Sequence, residues 1–470
     1  MLFLTIDHSR DTYIYHQIYE GIKAAIFQEK LAAHEKLPSK RKLADQLKVS
    51  VNSVANAYEQ LLAEGYIYTK ERSGYFVEVI TPFINLQPSD RKKLSLELKE
   101  VELDKEGWLS LSHMTADSSM FPFKEWLRCE QKAVKHHKRE LTEIPHRQGP
   151  YLVRQTISRM IAITRGVVCE PEQIVIGAGT QSLVQQMMGG QKEETIIAME
   201  NPGYSRFFNL LKGMGFNVQL VQLDAQGIDI KEVESVDADF LFVTPSHQFP
   251  TGKIMPISRR IELLNWASQS NGRYIVEDDY DSEFKYETDN IPSLQSLDLN
   301  QRVIYTGTFS KSLLPGFRIS YMVLPIEILR NYRETAHDFM QSSNLLALYT
   351  LHYFIESGEY AKHIKRMNHY YESKRKQLIE ILKKRFNNRI RIADIPAGLH
   401  FLADFKTDKN YEEIERRATE EKLEIYTMRR FMLNNKFKEK KCVSMVLGFA
   451  NIHEGQMEEA VERLHKIIES

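Results

Sequence analysis

Past Gly107 the chain repeats one pattern: a short apolar run, a small-residue or polar break, then a stretch with helical spacing. QIVIGAG, TIIAME, FLFVTP, RYIVEDD and RVIYTGT are the apolar runs, alternating with helical sequence. Strands with no polar alternation are covered on both faces, so the pattern predicts an α/β fold with a mostly parallel sheet and helices on either side. Near residue 360 the texture turns helical and charged, and after 390 strands and helices mix again. That change predicts a smaller C-terminal subdomain over about 360–470. At 470 residues the chain exceeds one compact unit. Its 42% hydrophobic and 27% charged residues exclude a mostly disordered or collagen-like chain.

Residues 1–80 form a different unit. Ile14, Ile18, Ile22, Ala25 and Ile26 recur at helical spacing. Ser39 after Pro38 predicts the cap of a second helix with Leu43, Ala44 and Leu47 inside. A break at Lys48–Ser50 leads to a third helix carrying Val54, Ala57, Tyr58, Leu61 and Leu62, ended by Gly65. Runs at Tyr66–Thr69 and Tyr75–Val79, joined by KERSG, predict a hairpin with Gly74 at the turn. Three helices and a hairpin in this order make a winged helix-turn-helix. Residues 81–106 hold two prolines, many charges and no sustained period, so they read as a linker. Residues 107–470 then form the large domain.

Charge and cysteine content narrow the function classes. Lysine plus arginine (63) equals aspartate plus glutamate (63), so no overall field drives the chain onto nucleic acid or anionic membrane. Cys129, Cys169 and Cys442 are few, odd in number and far apart, which fits a reducing compartment and suggests neither a metal site nor a disulfide framework. No run approaches 18 uncharged apolar residues, and the first ten positions already mix acidic and basic side chains. The expectation is a soluble cytoplasmic protein with no membrane partner.

The third helix opens with Ser50, Asn52, Ser53 and Asn56, all able to hydrogen-bond to phosphates or base edges. Ser39, Lys40 and Arg41 stand at the start of the second helix, where charge and helix dipole favour phosphate. Arg72, Ser73 and Gly74 occupy the wing, with Lys70 beside them. These are the candidate contacts to double-stranded DNA; the alternative is a protein-binding winged helix. Residues 1–80 carry 10 basic and 10 acidic side chains, so one copy should bind weakly and two copies better. PSKRKLADQLKVSVNSVANAYEQLLAEGY resembles the signature of the GntR family of bacterial repressors. Val51 stands where that family commonly has arginine, which shifts the reading onto Asn52, Ser53, Asn56 and Arg41.

A second constellation lies in the large domain. Asp278 and Tyr280 sit in VEDDYDSEF at the end of a predicted strand, two positions apart and so on one face. Lys311 follows 33 positions after Asp278 in GTFSKSLLPGFR, with Arg318 seven beyond it. Gly179, Thr180 and Gln181 turn from a strand into a helix start and would offer amides to a phosphate. A pyridoxal phosphate site asks for such a set: an amine for the Schiff base, a carboxylate for the pyridine nitrogen, a phenol near the ring oxygen O3′, and a phosphate cradle. Asp278 could otherwise cap a helix, and Tyr280 could be core; order and spacing together carry the reading.

The constellation resembles fold-type I aminotransferases over roughly residues 107–470. The resemblance implies Lys311 as the Schiff-base lysine, Asp278 on the pyridine nitrogen and Tyr280 on O3′. It implies Ser310, Arg318, Gly179 and Thr180 on the phosphate, with Tyr204 of ENPGYSRF stacking on the ring. PSHQFPTG resembles the family's N-P-T-G turn, with His247 or Gln248 standing where asparagine is usual. An amino-acid ligand also needs its carboxylate held, and a bidentate guanidinium does that best. Arg206 lies close after Tyr204, and Arg430 lies in IYTMRRFML, which resembles the family's carboxylate-binding segment; Arg429 reads as a surface arginine.

Together the two halves resemble the MocR subfamily of GntR-type bacterial transcriptional regulators, and within it the regulators of γ-aminobutyrate utilisation. The resemblance implies a homodimer in which an amino-acid effector, γ-aminobutyrate first, forms an external aldimine and alters DNA binding. It implies a sensor domain rather than an enzyme, with at most a residual half-reaction. A working aminotransferase with a DNA-binding appendage, a regulator that senses pyridoxal phosphate itself, and a D-alanine-type effector stay open.

Overall fold

Two short helices meet at Lys48, whose backbone is left-handed at φ 51°. They are α2 (Lys40–Leu47) and α3 (Val51–Ala63), preceded by α1 (Ile14–Phe27). In this computed structural model the described residues are 4–7, 12–80, 94–100, 105–113, 117–286, 291–393, 395–434 and 442–469. Each short helix is capped as its sequence demands. Ser39 Oγ accepts from Lys42 N at 3.2 Å and Ser50 Oγ from Ser53 N at 3.0 Å, satisfying amides that have no partner within the helix. Ile18, Ile22, Leu43, Val54, Tyr58 and Leu61 bury their side chains together, and the Tyr58 hydroxyl donates to Pro38 O at 2.9 Å.

The wing differs in register from its sequence pattern. β1 (Ile67–Lys70) pairs antiparallel with β2 (Gly74–Val77), and Gly74 lies opposite Lys70 as a strand residue. The turn is Glu71–Ser73, and Arg72 takes the left-handed conformation at φ 56°. Ile67 and Val77 must both reach the helix core, and that requirement sets the pairing.

The chain divides into two compact units, Met1–Leu103 and Asp104–Ser470. Most of the expected linker lies outside the described residues; within it Leu96–Leu98 makes one turn of 3₁₀ helix.

The second unit is built on an eight-stranded sheet. Its strands are β3 (Ile174–Gly177), β4 (Ile196–Asn201), β5 (Asn217–Asp224), β6 (Gly227–Ile228), β7 (Phe240–Val243), β8 (Tyr274–Asp279), β9 (Val303–Thr308) and β10 (Ser320–Val323), in the order β3-β10-β9-β8-β7-β4-β5-β6. The five strands from β9 to β5 are parallel, β10 runs antiparallel between β9 and β3, and β6 pairs antiparallel at the far edge.

Residue parity sorts the two faces. Ile174, Ile176, Tyr305, Tyr321 and Val323 pack on one side with α4 (Phe123–His136), α5 (Tyr151–Arg165) and a helix over 345–356. Val175, Met199, Phe242, Val276, Ile304 and Met322 pack on the other with α6 (Thr180–Met188) and α7 (Ser205–Gly213). A period of two on strands buried twice leaves no polar side, as the uninterrupted apolar runs require.

Toward the C-terminus a 28-residue helix, α8 (Glu359–Phe386), leads into a four-stranded antiparallel sheet. Its strands are β11 (Ile390–Ile392), β12 (His400–Phe405), β13 (Tyr426–Thr427) and β14 (Val443–Gly448), covered by α9 (Met457–Glu469). The core of this part also takes in Leu109, Leu111, Phe284 and Tyr286 from much earlier in the chain. Leu109–Ser110 pairs with Leu423–Glu424, a long-range contact that no local pattern announces. Among the described residues no helix is long and apolar enough to cross a membrane.

Tyr58 joins the first unit's core to the backbone before α2, so its ring and hydroxyl should separate in urea unfolding of that unit. Tyr58→Phe should cost about 1 kcal/mol for the lost hydrogen bond, and Tyr58→Ala about 3–5 kcal/mol for the cavity.

Candidate functional site

The carboxyl ends of the parallel strands open into a cavity of about 240 Å³, where open α/β sheets hold ligands. β8 sets its floor. Tyr274 and Val276 point into the sheet's α6–α7 side, and the same parity brings Asp278 and Tyr280 to the cavity wall. Asp279 takes the other face, where Arg165 Nε meets its carboxylate at 2.7 Å and the Tyr305 hydroxyl donates to it at 2.5 Å. Arg165 also donates to Ser246 Oγ and the Ile291 carbonyl. Glu277 is buried as well, accepting from the amides of Leu294 and Gln295 at 2.8 and 2.9 Å.

Asp278 has no cation beside it. Thr306, its register partner on β9, donates to it at 3.1 Å, yet burial pushes its carboxyl up to about 7, with Asp279 and Asp281 adding to the rise. A cationic ring N–H facing it would relieve that cost. Across the cavity Lys311 Nζ donates to the His113 carbonyl at 2.7 Å. Burial pushes this amine down to about 8; Asp281 opposes the shift and Arg206 adds to it. An amine that sheds its proton this readily is suited to attack an aldehyde.

The phosphate end is built from two turns. Gly179 caps α6 at φ 123°, and a Cβ there would collide with the Arg318 guanidinium. Arg318, itself left-handed at φ 52°, donates to the Ala178 carbonyl at 3.0 Å. Thr180 and Gln181 follow on the helix N-terminus, and Thr308, Ser310 and Ser320 supply hydroxyls linked at 2.8–3.1 Å. Amine, uncompensated carboxylate, phenol and amide-and-guanidinium cradle thus face one space. The residues fit pyridoxal phosphate.

Of the sequence-predicted set, Lys311, Asp278, Tyr280, Tyr204, Gly179, Thr180, Gln181, Ser310, Arg318 and Arg206 all line the cavity. His247 and Gln248 do not. The Gln248 amide is turned away, donating to Pro202 and Phe249 carbonyls and to Glu200, while its oxygen accepts from Thr251. Phe249, which stands directly before Pro250-Thr251-Gly252 where the motif has its asparagine, lines the cavity instead. His247 stands behind Tyr280. Arg430 is exposed on the edge, its guanidinium 4.5 Å from the centre of the Tyr426 ring. Its charge still reaches inward: burial first, then Lys311, Arg430 and Arg206, push His113 down to about 3. Arg429 pairs with Glu412 at 2.8 Å.

Sequence reasoning missed His113, Thr244, Asp281, Thr308, Ser320, Leu399 and His400, which also line the cavity. Asp281 and Thr308 lie within motifs already quoted; Thr308 keeps the parity of Thr306, whereas Asp281 lies past the end of β8 and reaches the cavity out of step with Asp279. His113 and His400 arrive from the small subdomain's side of the unit, which local pattern cannot foresee.

In the first unit, Arg41, Asn52 and Asn56 are exposed at the starts of α2 and α3, and Val51 is exposed beside them. The hydroxyls of Ser39 and Ser50 are engaged in capping, and Ser53 bonds Ser50 at 2.8 Å. Lys40 reaches Glu59 at 3.4 Å. Arg72, Ser73 and Gly74 are exposed on the wing.

Only the unprotonated Lys311 amine condenses with an aldehyde. The rate at which apoprotein takes up added pyridoxal phosphate, read from its visible absorbance, should therefore rise with pH and level off above about 8. A solvated surface lysine would keep gaining toward about 10.

Residues 107–464 match the family described as aminotransferase class I and II, and residues 14–77 match the bacterial regulatory proteins of the gntR family. The chain is 36% identical to the uncharacterised HTH-type transcriptional regulator YdeL of Bacillus subtilis, over 98% of this chain and 97% of the relative. It is 27% identical to the probable rhizopine catabolism regulatory protein MocR of Rhizobium meliloti, over 98% and 95%. Among solved structures, kynurenine aminotransferase of Pyrococcus horikoshii superposes with a TM-score of 0.69 at 21% identity, over 77% of this chain and 90% of that one, a likeness of fold. The chain belongs to the MocR-type transcriptional regulators, in which a GntR-family helix-turn-helix is joined to a pyridoxal phosphate-binding domain of the aminotransferase class I and II family.

Proposed function

We propose that this regulator senses an amino acid, with γ-aminobutyrate the leading candidate, at the cavity of the second unit and reads DNA with the first. The observation that carries the reading is the grouping of Lys311, Asp278, Tyr280 and Arg206 around one space, in a chain that also presents a winged helix-turn-helix. When bound, pyridoxal phosphate supplies a reactive carbonyl and an electron-withdrawing ring. Lys311 holds it, Asp278 keeps its ring nitrogen protonated, Tyr280 donates toward its ring oxygen, and Gly179, Thr180, Ser310 and Arg318 hold its phosphate. Tyr204 flanks the ring.

The effector's carboxylate goes to Arg206, with Arg430 brought in from the edge. Both arginines tolerate several chain lengths, which keeps a D-alanine-type ligand in competition. An effector shifts DNA binding only by the difference in its affinity for two arrangements of the protein, typically about 1–3 kcal/mol. The protein acts as a homodimer, because a net-neutral reading head needs a second copy for affinity. Asn52, Asn56 and Arg41 carry base and phosphate contacts, with Ser39 and Ser50 acting through the helix ends they cap.

Lys311→Ala should leave operator affinity in place and abolish the response to γ-aminobutyrate in a DNA-binding titration. Arg206→Ala should weaken the effector roughly ten- to a hundredfold, from the loss of about 1.5–3 kcal/mol of charged hydrogen bonding. An unchanged response in Lys311→Ala sinks the sensor reading. Catalytic rather than stoichiometric product with an amino donor and 2-oxoglutarate would make the protein an aminotransferase, and DNA binding that responds to the cofactor alone would make it a cofactor sensor. Arg41→Ala should lower the slope of log affinity against log salt by about one phosphate contact per subunit.

A further inference from the structure

Behind Tyr280 lies a buried pair that the proposed function leaves unused. His247 and Asp281 are 3% and 2% exposed, and His247 Nδ1 lies 2.9 Å from Asp281 Oδ2. The same nitrogen lies 3.0 Å from the Tyr280 oxygen, and the Tyr280 hydroxyl donates to the His247 carbonyl at 3.1 Å. A ring nitrogen facing a carboxylate carries the hydrogen. His247 Nδ1–H therefore sits in the fork between Asp281 and the phenol oxygen, and Nε2 is left without a hydrogen-bond partner among the described residues.

Two glycines close the ring in. A Cβ at Gly398 would collide with His247 Cε1 and stand 2.6 Å from Asp281 Oδ2, and one at Gly252 would stand 3.1 Å from Nε2. Both glycines are left-handed, at φ 71° and 74°, a conformation that favours glycine, and a side chain at Gly398 would overlap the ring. One glycine comes from the turn after Pro250 and the other from the turn before β12, and the imidazole has no room to rotate between them.

We infer that His247, oriented by Asp281, is the positioning residue for Tyr280. By donating to the phenol oxygen from behind, Nδ1–H fixes where that oxygen stands. The hydroxyl, which here donates to the His247 carbonyl, would turn to the ring oxygen of a bound cofactor, and its position so sets the pH at which the cofactor on Lys311 titrates. The inference rests on the reading that Lys311 carries pyridoxal phosphate.

The charged and titratable groups facing this chain include Asp278 and Asp279 from β8, Lys285 beyond it, Glu200 from β4, Arg165 from α5, Arg206 from α7, His400 from β12, His113, and Lys311 itself. Burial, then Asp281, Asp278 and Glu200, hold the phenol's proton on well beyond the ordinary tyrosine range. Burial, then the neighbouring His247, His113 and Lys311, keep His400 neutral. Tyr280 is thus a neutral donor throughout, and a donor at the ring oxygen stabilises the form in which that oxygen bears charge. Loss of the donor's orientation moves the cofactor's titration toward higher pH.

The test uses the full chain loaded with pyridoxal phosphate and follows its visible absorbance against pH. His247→Ala should raise the midpoint by about one unit, the size of a lost hydrogen bond to a charged group. Should that variant not fold, two others decide the matter. Asparagine places its amide nitrogen where Nδ1 lies, so His247→Asn should titrate near wild type. Glutamine reaches the Nε2 position instead, so His247→Gln should titrate like His247→Ala. In a Tyr280→Phe background, His247→Ala should add nothing. Coloured variants with the wild-type midpoint, or a shift that persists without the phenol, overturn the inference and leave the cofactor reading standing. Wild-type protein as colourless as Lys311→Ala overturns both.

Discussion

Four carboxylates in five residues, Glu277, Asp278, Asp279 and Asp281, are packed at the end of one buried strand, and the rest of the site depends on how they are kept apart. Period-two alternation sends Asp278 to the cavity and Glu277 and Asp279 to the opposite face. There Arg165 and the Tyr305 hydroxyl meet Asp279, and two backbone amides meet Glu277. Losing one partner of a buried ion pair costs about 3–5 kcal/mol, because a charge is left stranded. Arg165, at the end of α5, thus joins the helix layer to the strand that bears Asp278. Asp278 faces the cavity with the Thr306 hydroxyl as its described partner; burial pushes its carboxyl up to about 7, and a cation beside it would relieve that cost.

The second constraint is the convergence of parts distant in the chain. Lys311 donates to the carbonyl of His113, whose ring packs near Phe249, His400, Tyr426 and Phe431. Leu109 and Leu111, just before His113, pack into the core around the C-terminal four-stranded sheet although they precede the large sheet. The Lys311 amine is thus bonded two residues from that core. Such a route is what a ligand sensor needs, since only a structural difference between liganded and free states can be passed on.

Much of this was legible in the amino-acid sequence. The helix cap at Ser39, the apolar faces of the first three helices, and the parallel core strands follow from local physics: capping chemistry and periodicity act over a few residues. Lys311, Asp278, Tyr280 and Arg318 were found because strand ends and the turns after them share one edge of a parallel sheet. His247 and Gln248 were less legible. The SHQFPTG turn has several polar residues, and which of them faces the ligand depends on where the turn closes. The wing's register went the same way, since Ile67 and Val77 answer to the helix core and not to Gly74.

By itself, then, the sequence determined the elements, the two units and the chemistry available at the sheet edge, because each rests on near neighbours in the chain. The tertiary structure alone decided that Phe249 and not Gln248 meets the cavity, that His113 and His400 join it, and that Gly252 and Gly398 clamp His247 against Asp281. Those outcomes come from contacts between separate elements, from Gln248 with Pro202 to Lys311 with His113, competing for the same few ångströms of space. No local pattern records who wins that competition.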